Sequence, residues 1–277
     1  MTNTPPLAQA DLQKAQPQTK VAVTKDQALI QFINKPSMKA QLAAALPNHM
    51  TPDRMIRIVT TEIRKTPTLA NCDMQSFVGA VVQCSQLGLE PGNALGHAYI
   101  LPFEKKQKQG NQWVTVRTDA QLIIGYRGMI DLARRSGQIV SISARTVRDG
   151  DKFHFEYGLD ESLTHVPGEN EEAQITYVYA VARLKDGGVQ FEVMTFNQVE
   201  KVRTQSKAGN NGPWVSHWEE MAKKTVIRRL FKYLPVSIEM QKAVVLDEKA
   251  EANIDQDNAA IFEGEFEEVN HDSQGIE

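Results

Sequence analysis

Five cations, Lys223, Lys224, Arg228, Arg229 and Lys232, crowd into the stretch KKTVIRRLFK of a chain whose formal net charge is -3. At 100° per residue, Lys224, Arg228, Arg229 and Lys232 share one side of a helix. Ala222, Val226, Ile227, Leu230, Phe231, Tyr233 and Leu234 fill the opposite arc, which reads as the core-facing side. Lys223 falls inside that apolar arc. An ammonium buried there without a partner would cost several kcal/mol, comparable with the net stability of a domain. Two resolutions are open: Lys223 snorkels past the short Ala222 to water, or the helix start borders a groove in which it meets a phosphate. Within the helix only Glu219 and Glu220 offer i,i+4 partners, to Lys223 and Lys224, so the stripe of Arg228, Arg229 and Lys232 is expected to stay open.

Flat side chains lie close to these charges. Trp214 and Trp218 stand just upstream, and Lys201, Arg203 and Lys207 precede a glycine-asparagine loop. Cations for a phosphate backbone and rings for stacking, at roughly 1–3 kcal/mol per base, are what single-stranded nucleic acid needs. A tryptophan at 218 would equally suit a core, because the side chain buries so much apolar area. A second cluster, GYRGMIDLARRSG, sets Arg127 between two glycines, where backbone could approach a ligand. Arg134 and Arg135 follow it, though cations near a helix C-terminus are favourable without any ligand. A third, EKKQKQGN, carries Lys105, Lys106 and Lys108 on what reads as a long hairpin loop.

Other chemistries lack their residues. No glycine-rich run leads into Lys-Ser/Thr, and Gly88, Gly92 and Gly96 are spaced by four, so neither a P-loop nor a dinucleotide fingerprint is present and no nucleotide hydrolysis is expected. Asp149, Asp151, His154 and Glu156 could hold magnesium in a nuclease, but Asp-Gly-Asp between two strand-like runs is ordinary turn chemistry. His49, His97, His165 and His217 have no Ser or Cys at nucleophile spacing. Cys72 and Cys84, twelve apart and without a histidine pair, suggest buried, reduced thiols rather than a zinc site.

The elements that must position these groups follow from periodicity. Helices are expected over KDQALIQFI, over part of NKPSMKAQLAAALPNHM, over TPDRMIRIVTTEIRK with Thr51 as N-cap and Pro52 at N1, and over NCDMQSFVGAVVQCSQLG with Gly88 as stop. From Ala98 onward β-branched and aromatic runs take over: HAYILPF, QWVTVRTDAQLIIGY, QIVSISARTV, DKFHFEY, SLTHVP, and a hairpin turning at Asp186-Gly187-Gly188. A helix over NQVEKVRTQS and one long basic helix close the series. This order argues for an α+β fold: N-terminal helices, central antiparallel hairpins forming a small sheet, a long basic C-terminal helix and a disordered acidic tail.

With 41% hydrophobic residues in 277, the chain can bury a substantial core. Residues 1–24, polar and rich in Pro and Gln, read as a mobile arm. Residues 247–277 hold eleven Asp/Glu against one Lys, while the preceding 246 hold 30 Lys/Arg against 23 Asp/Glu. A basic body from 25 to 246 and an acidic tail from 247 are therefore expected, as for a polyanion binder with an interaction tail, although a solvated end beside an ordinary surface would show the same charges. The lack of a signal-type leader and of any 18-residue apolar run predicts a soluble, cytosolic protein with no membrane partner.

Four stretches carry a family resemblance: CSQLGLEPGNALGHAYILPF, QLIIGYRGMIDLARRSGQI, YAVARLKDGGVQFEVMT and SKAGNNGPWVSHWEEMAKKTVIRRLFKYLPVS. They resemble the RecT family of phage-encoded single-strand annealing proteins, of RecT/Redβ type, over nearly the whole chain. The resemblance implies an ATP-independent, non-enzymatic recombinase of the bacterial cytoplasm that coats single-stranded DNA, pairs complementary strands and promotes limited strand invasion. It implies rings or helical filaments of the chain with itself, a partner 5′-to-3′ exonuclease, and possible contact with a host single-stranded DNA-binding protein. It implies no required cofactor, with Mg2+ at most modulating DNA binding. Lys223, Lys224, Arg228 and Arg229 match the family's Ala-Lys-Lys-Thr helix start and following arginines, which implies contact with DNA. The rival reading of the same composition is a passive single-strand binder.

Overall fold

The computed structural model describes residues 23–92, 95–206 and 209–261. Four helices come first: α1 (Lys25–Ile33), α2 (Pro36–Ala45), α3 (Pro52–Lys65) and α4 (Met74–Gln86). Their ends follow local chemistry. The Thr51 hydroxyl accepts from the Arg54 N–H at 3.4 Å, Pro52 opens α3, and Gly88 just past α4 takes a φ of 59°. Helix α4 is apolar on nearly all sides and buried throughout its centre.

A long hairpin follows, β1 (Ala98–Gln109) with β2 (Gln112–Ile124). The expected lysine-rich loop is instead strand almost to the tip. Gly110, at φ 62°, and Asn111 make a two-residue turn that lets Lys105, Lys106 and Lys108 pair in the ladder, with one register shift between Lys105 and Lys106. Then come α5 (Tyr126–Arg135), β3 (Ile139–Arg148), the small hairpin β4 (Lys152–Glu156) with β5 (Ser162–Val166), β6 (Ile175–Leu184) and β7 (Val189–Thr195). The second sheet is antiparallel in the order β3-β6-β7, leaving β3 as an edge. In its β6–β7 turn only Gly187 takes a positive φ, at 90°.

One face of this sheet, through Val178, Ala180 and Ala182, packs on α8 (Trp218–Leu230) within the main core. The other face, Val147, Tyr179, Phe191 and Val193, is covered by Phe153, Phe155 and Leu163 of the β4–β5 hairpin. Helices α6 (Phe196–Gln205) and α7 (Pro213–Ser216) lead into α8.

The expected single long basic helix is two. Helix α8 tightens into a 3-10 turn over Phe231–Tyr233, Pro235 cannot continue it, and Ser237 caps α9 (Ile238–Glu251), accepting from the Met240 N–H at 3.3 Å. The expected boundary between residues 246 and 247 therefore falls inside a helix, and the packed body runs on to residue 261. Side chains of this segment complete the open edge of β2. Asn258 Nδ2 donates to the Ala120 carbonyl at 2.9 Å, the Gln256 amide both donates to and accepts from the Leu122 backbone at 2.8 Å, and Asp247 accepts from the Ile124 N–H at 3.2 Å. The Ser76 hydroxyl takes the Ala120 N–H at 2.9 Å. An edge whose outward groups are met by side chains is closed to further strand pairing. The remainder of the expected tail and nearly all of the expected N-terminal arm lie outside the described residues.

Candidate nucleic-acid interface

Helix α8 buries the apolar arc read from its sequence: Ala222, Val226, Ile227, Leu230 and Phe231 are in the core, while Tyr233 is exposed. The cationic stripe is not open. Lys224 and Arg228 are only 7% and 8% exposed, and both reach the wholly buried Asp247 of α9, Lys224 Nζ at 2.7 Å and Arg228 Nη1 at 3.1 Å. Glu251 adds a second carboxylate 2.6 Å from Arg228. Burial acts to lower the Arg228 pKa, and Glu251 and Asp247 outweigh it, so the guanidinium is held in its charged form. Arg229 pairs with Glu192 at 2.6 Å, and Lys232 with Glu248 at 3.4 Å. The wheel counted partners only inside the helix; these carboxylates come from β7 and α9.

Several other expected contacts also have structural partners. Arg203 is held by Glu200 and donates to the Gly209 carbonyl at 2.7 Å. Trp218 stacks on Phe196 at 5.1 Å and donates Nε1 to Glu200 at 2.7 Å. Lys105 bridges Asp119, at 2.7 Å, and Asp255. Lys106 pairs with Glu104 at 3.0 Å, Lys201 is exposed on α6, and Lys207 lies outside the described residues. Arg135 binds Asp131 and the Leu87 and Gly88 carbonyls that end α4, whereas Arg134 is exposed. The glycines flanking Arg127 serve backbone packing: a Cβ on Gly125 would lie 2.0 Å from the Gly96 carbonyl oxygen, and one on Gly128 2.1 Å from that of His97.

What the fold does bring together is a groove between the β1–β2 hairpin and the α7–α8 corner. It holds two adjoining cavities of about 560 and 440 Å³ that share Leu101, Ile123, Pro213, Met221 and Lys224. Tyr99 and Leu101, two apart on β1, point into it and are each 40% exposed. Tyr126 and Arg127, at the first turn of α5, close one end; Phe103, Lys106 and the buried Trp214 line the other. Arg127 lies over the Tyr126 ring at 5.9 Å, and no carboxylate among the described residues comes within ion-pairing distance of it. His217 and Glu220 line the same wall. Of the residues singled out in the sequence, Arg127, Lys224, Trp214 and Lys106 meet here. Tyr99, Leu101 and Tyr126 were missed: alternation placed Tyr99 and Leu101 on one face of a strand, but not which face would stay uncovered.

Lys223 turns to the other side of α8. Its side chain is 24% exposed, bonds Glu220 at 2.9 Å, and lines a separate polar cavity with Arg145 and Arg148. Lys223 thus leaves the core, and its partner in the fold is a carboxylate of its own helix.

Among the described residues no three His, Cys, Asp or Glu side chains gather as metal ligands. Asp151 is engaged by the Arg148 and Gly168 N–H groups, at 2.7 Å each, and by His165 at 2.9 Å; these contacts, in that order, lower its pKa to about 2. His154 and Glu156 bond each other on exposed β4. Cys84 is buried and Cys72 half-buried, both free, and burial pushes the Cys72 thiol up to about 12. No helix among the described residues is long and apolar enough to cross a membrane.

The α+β body thus carries a groove lined by aromatic rings and edged by cations between the β1–β2 hairpin and the α7–α8 corner. The RecT family model matches residues 53–261, and the chain belongs to the RecT family, a recombination-associated group. It is 66% identical to Protein RecT of Escherichia coli (strain K12) over 275 residues, covering 99% of this chain and 100% of that protein. It is also 30% identical to the uncharacterized protein YqaK of Bacillus subtilis (strain 168) over 193 residues, 69% of this chain and 63% of that one. The family match spans both walls of the groove.

Proposed function

We propose that the chain is an ATP-independent single-strand annealing protein, and that the groove between the β1–β2 hairpin and the α7–α8 corner holds the first DNA strand. The observation that carries this reading is the groove itself, where exposed Tyr99 and Leu101 stand beside the exposed Arg127, which donates to the Tyr126 hydroxyl at 3.4 Å and makes no ion pair among the described residues. An annealing protein must hold a strand by its backbone and leave base edges free, so phosphate and ring contacts should dominate over base-edge hydrogen bonds. The groove offers that balance: Arg127, Lys106 and the edge of Lys224 for phosphates, Tyr99 and Tyr126 as flat surfaces. In this reading the exposed Lys108 beside the hairpin tip, with Lys105 further down the ladder, meets the second strand or a neighbouring copy. Lys201, Arg229 and Lys232 contribute at longer range, while Arg228, Arg203 and Trp218 chiefly hold the fold.

The protein works in this reading without a required cofactor, Mg2+ modulating DNA binding only, in the cytoplasm of a bacterium carrying the phage genes. It assembles with itself on DNA and receives single strands from a 5′-to-3′ exonuclease. The test is the pairing rate of complementary oligonucleotides, one precoated with protein, in buffer without nucleotide. Acceleration over the protein-free rate is expected. Coating without acceleration would leave a passive single-strand binder, and cleavage of labelled DNA in magnesium would replace both readings with a nuclease.

A further inference from the structure

The groove does not use the polar cavity of about 270 Å³ at the free edge of β3. Its walls come from three places: Arg145, Thr146 and Arg148 on β3, His165 and Gly168 around the end of β5, and Lys223 on α8. Three cations therefore face one small space. Arg148 is fixed by the Ala173 carbonyl at 2.9 Å and by Glu219 at 2.5 Å, and Lys223 by Glu220 at 2.9 Å. Arg145 is exposed and has neither an ion-pair nor a hydrogen-bond partner among the described residues. The floor is rigid: His165 sits between Asp151 at 2.9 Å and the Tyr179 hydroxyl at 3.1 Å, and Asp151 is locked by two backbone N–H groups. Two acids stand in the lining: Asp151, held by His165 and the two backbone N–H groups, and Glu171, which has no ion-pair partner among the described residues. The cavity and the groove share no lining residue, and the Lys223–Glu220 ion pair links one to the other across α8.

We infer that this cavity is a phosphate-binding site for the DNA backbone, taking a phosphodiester of the strand as it leaves the groove and crosses the start of α8 onto the β3 edge. The inference rests on the groove reading. An unpartnered guanidinium presents a planar fork suited to phosphate oxygens, Lys223 supplies a point charge opposite, and the Thr146 hydroxyl can donate as well. A rigid floor means that little ordering is needed on binding. The one-residue step from Lys224, in the groove, to Lys223, in the cavity, is what carries the strand from one side of α8 to the other.

The experiment is the salt dependence of oligothymidylate binding by the full chain and three variants, each checked for an unchanged thermal melt. Arg145→Ala removes an exposed side chain without internal partners. It should weaken binding and flatten the slope of log K against log[salt] by about 0.7, the change for one phosphate contact on single strands. Glu171→Gln should tighten binding. Inorganic pyrophosphate, followed by phosphorus NMR against wild type and Arg145→Ala, separates the sources: capture of pyrophosphate with no change in the DNA slope would overturn the strand path. If Arg145→Ala binds DNA as wild type does while Arg127→Ala loses affinity and slope, the groove stands and the cavity proposal falls. If neither variant changes binding, the groove reading itself fails and takes the cavity with it.

Discussion

Asp247 is a wholly buried carboxylate next to the groove's Lys224. It accepts from Lys224, from Arg228 and from the Ile124 N–H, with no exposure to water. Replacing Asp247 with Ala would leave two buried cations sharing Glu251 and one strand N–H unmet, a loss of about 3–5 kcal/mol by analogy with other broken buried pairs. Urea unfolding checks it, and a loss below about 1 kcal/mol would mean that water replaces the carboxylate. Asp151 makes a pH prediction with a definite sign. Its folded pKa of about 2 lies below the ordinary 3.8, so its contribution is fully present above pH 4 and is lost as pH falls from there through 2. Asp151→Asn should therefore be less stable than wild type at pH 7, with the gap narrowing toward pH 2; an unchanging gap would remove the ionic origin. At this scale the sequence showed that Lys223 had a problem to solve, but not that Asp247, Glu248 and Glu251 would meet Lys224, Arg228 and Lys232. Partners twenty residues away are set by how helices cross, not by helical periodicity.

Among the elements, the least expected is the segment from α9 to residue 261, whose acidic composition looks like solvated tail. Its burial depends on close approach to α4: a Cβ on Gly79 would lie 1.8 Å from the Asn258 carbonyl oxygen. Gly79→Ala should push the segment off, exposing the β2 edge at Leu122 and Ile124, and hydrogen exchange at those two amides should speed up while exchange within β6 stays unchanged. Equal exchange in variant and wild type would show that the segment does not guard the edge. Helices with clear caps, such as α3 behind Thr51 and Pro52, were legible because the signal is local. The hairpin tip was not, since Lys and Gln are poor strand formers by propensity and only Gly110-Asn111 marked the turn. The break before α9 was written in Pro235 and Ser237, yet the acid count beyond masked the helix that follows.

For the whole molecule, charge asymmetry pointed to a polyanion, and family membership agrees with a role in recombination. The surface that would carry it differs from the one the helical stripe suggested. The stripe is largely neutralised within the fold, and the proposed strand path lies instead on the hairpin side, where Tyr99, Leu101 and Arg127 are exposed. The groove's position can be read directly from Trp214, which is 2% exposed and lines its inner end. With Trp113 and Trp218 changed to Phe, Trp214 is the sole tryptophan of the chain. Titrating that variant with oligothymidylate should change Trp214 emission in step with binding and saturate at the binding stoichiometry, an effect that salt reverses. Saturated DNA binding that leaves Trp214 emission untouched would contradict a strand in this groove.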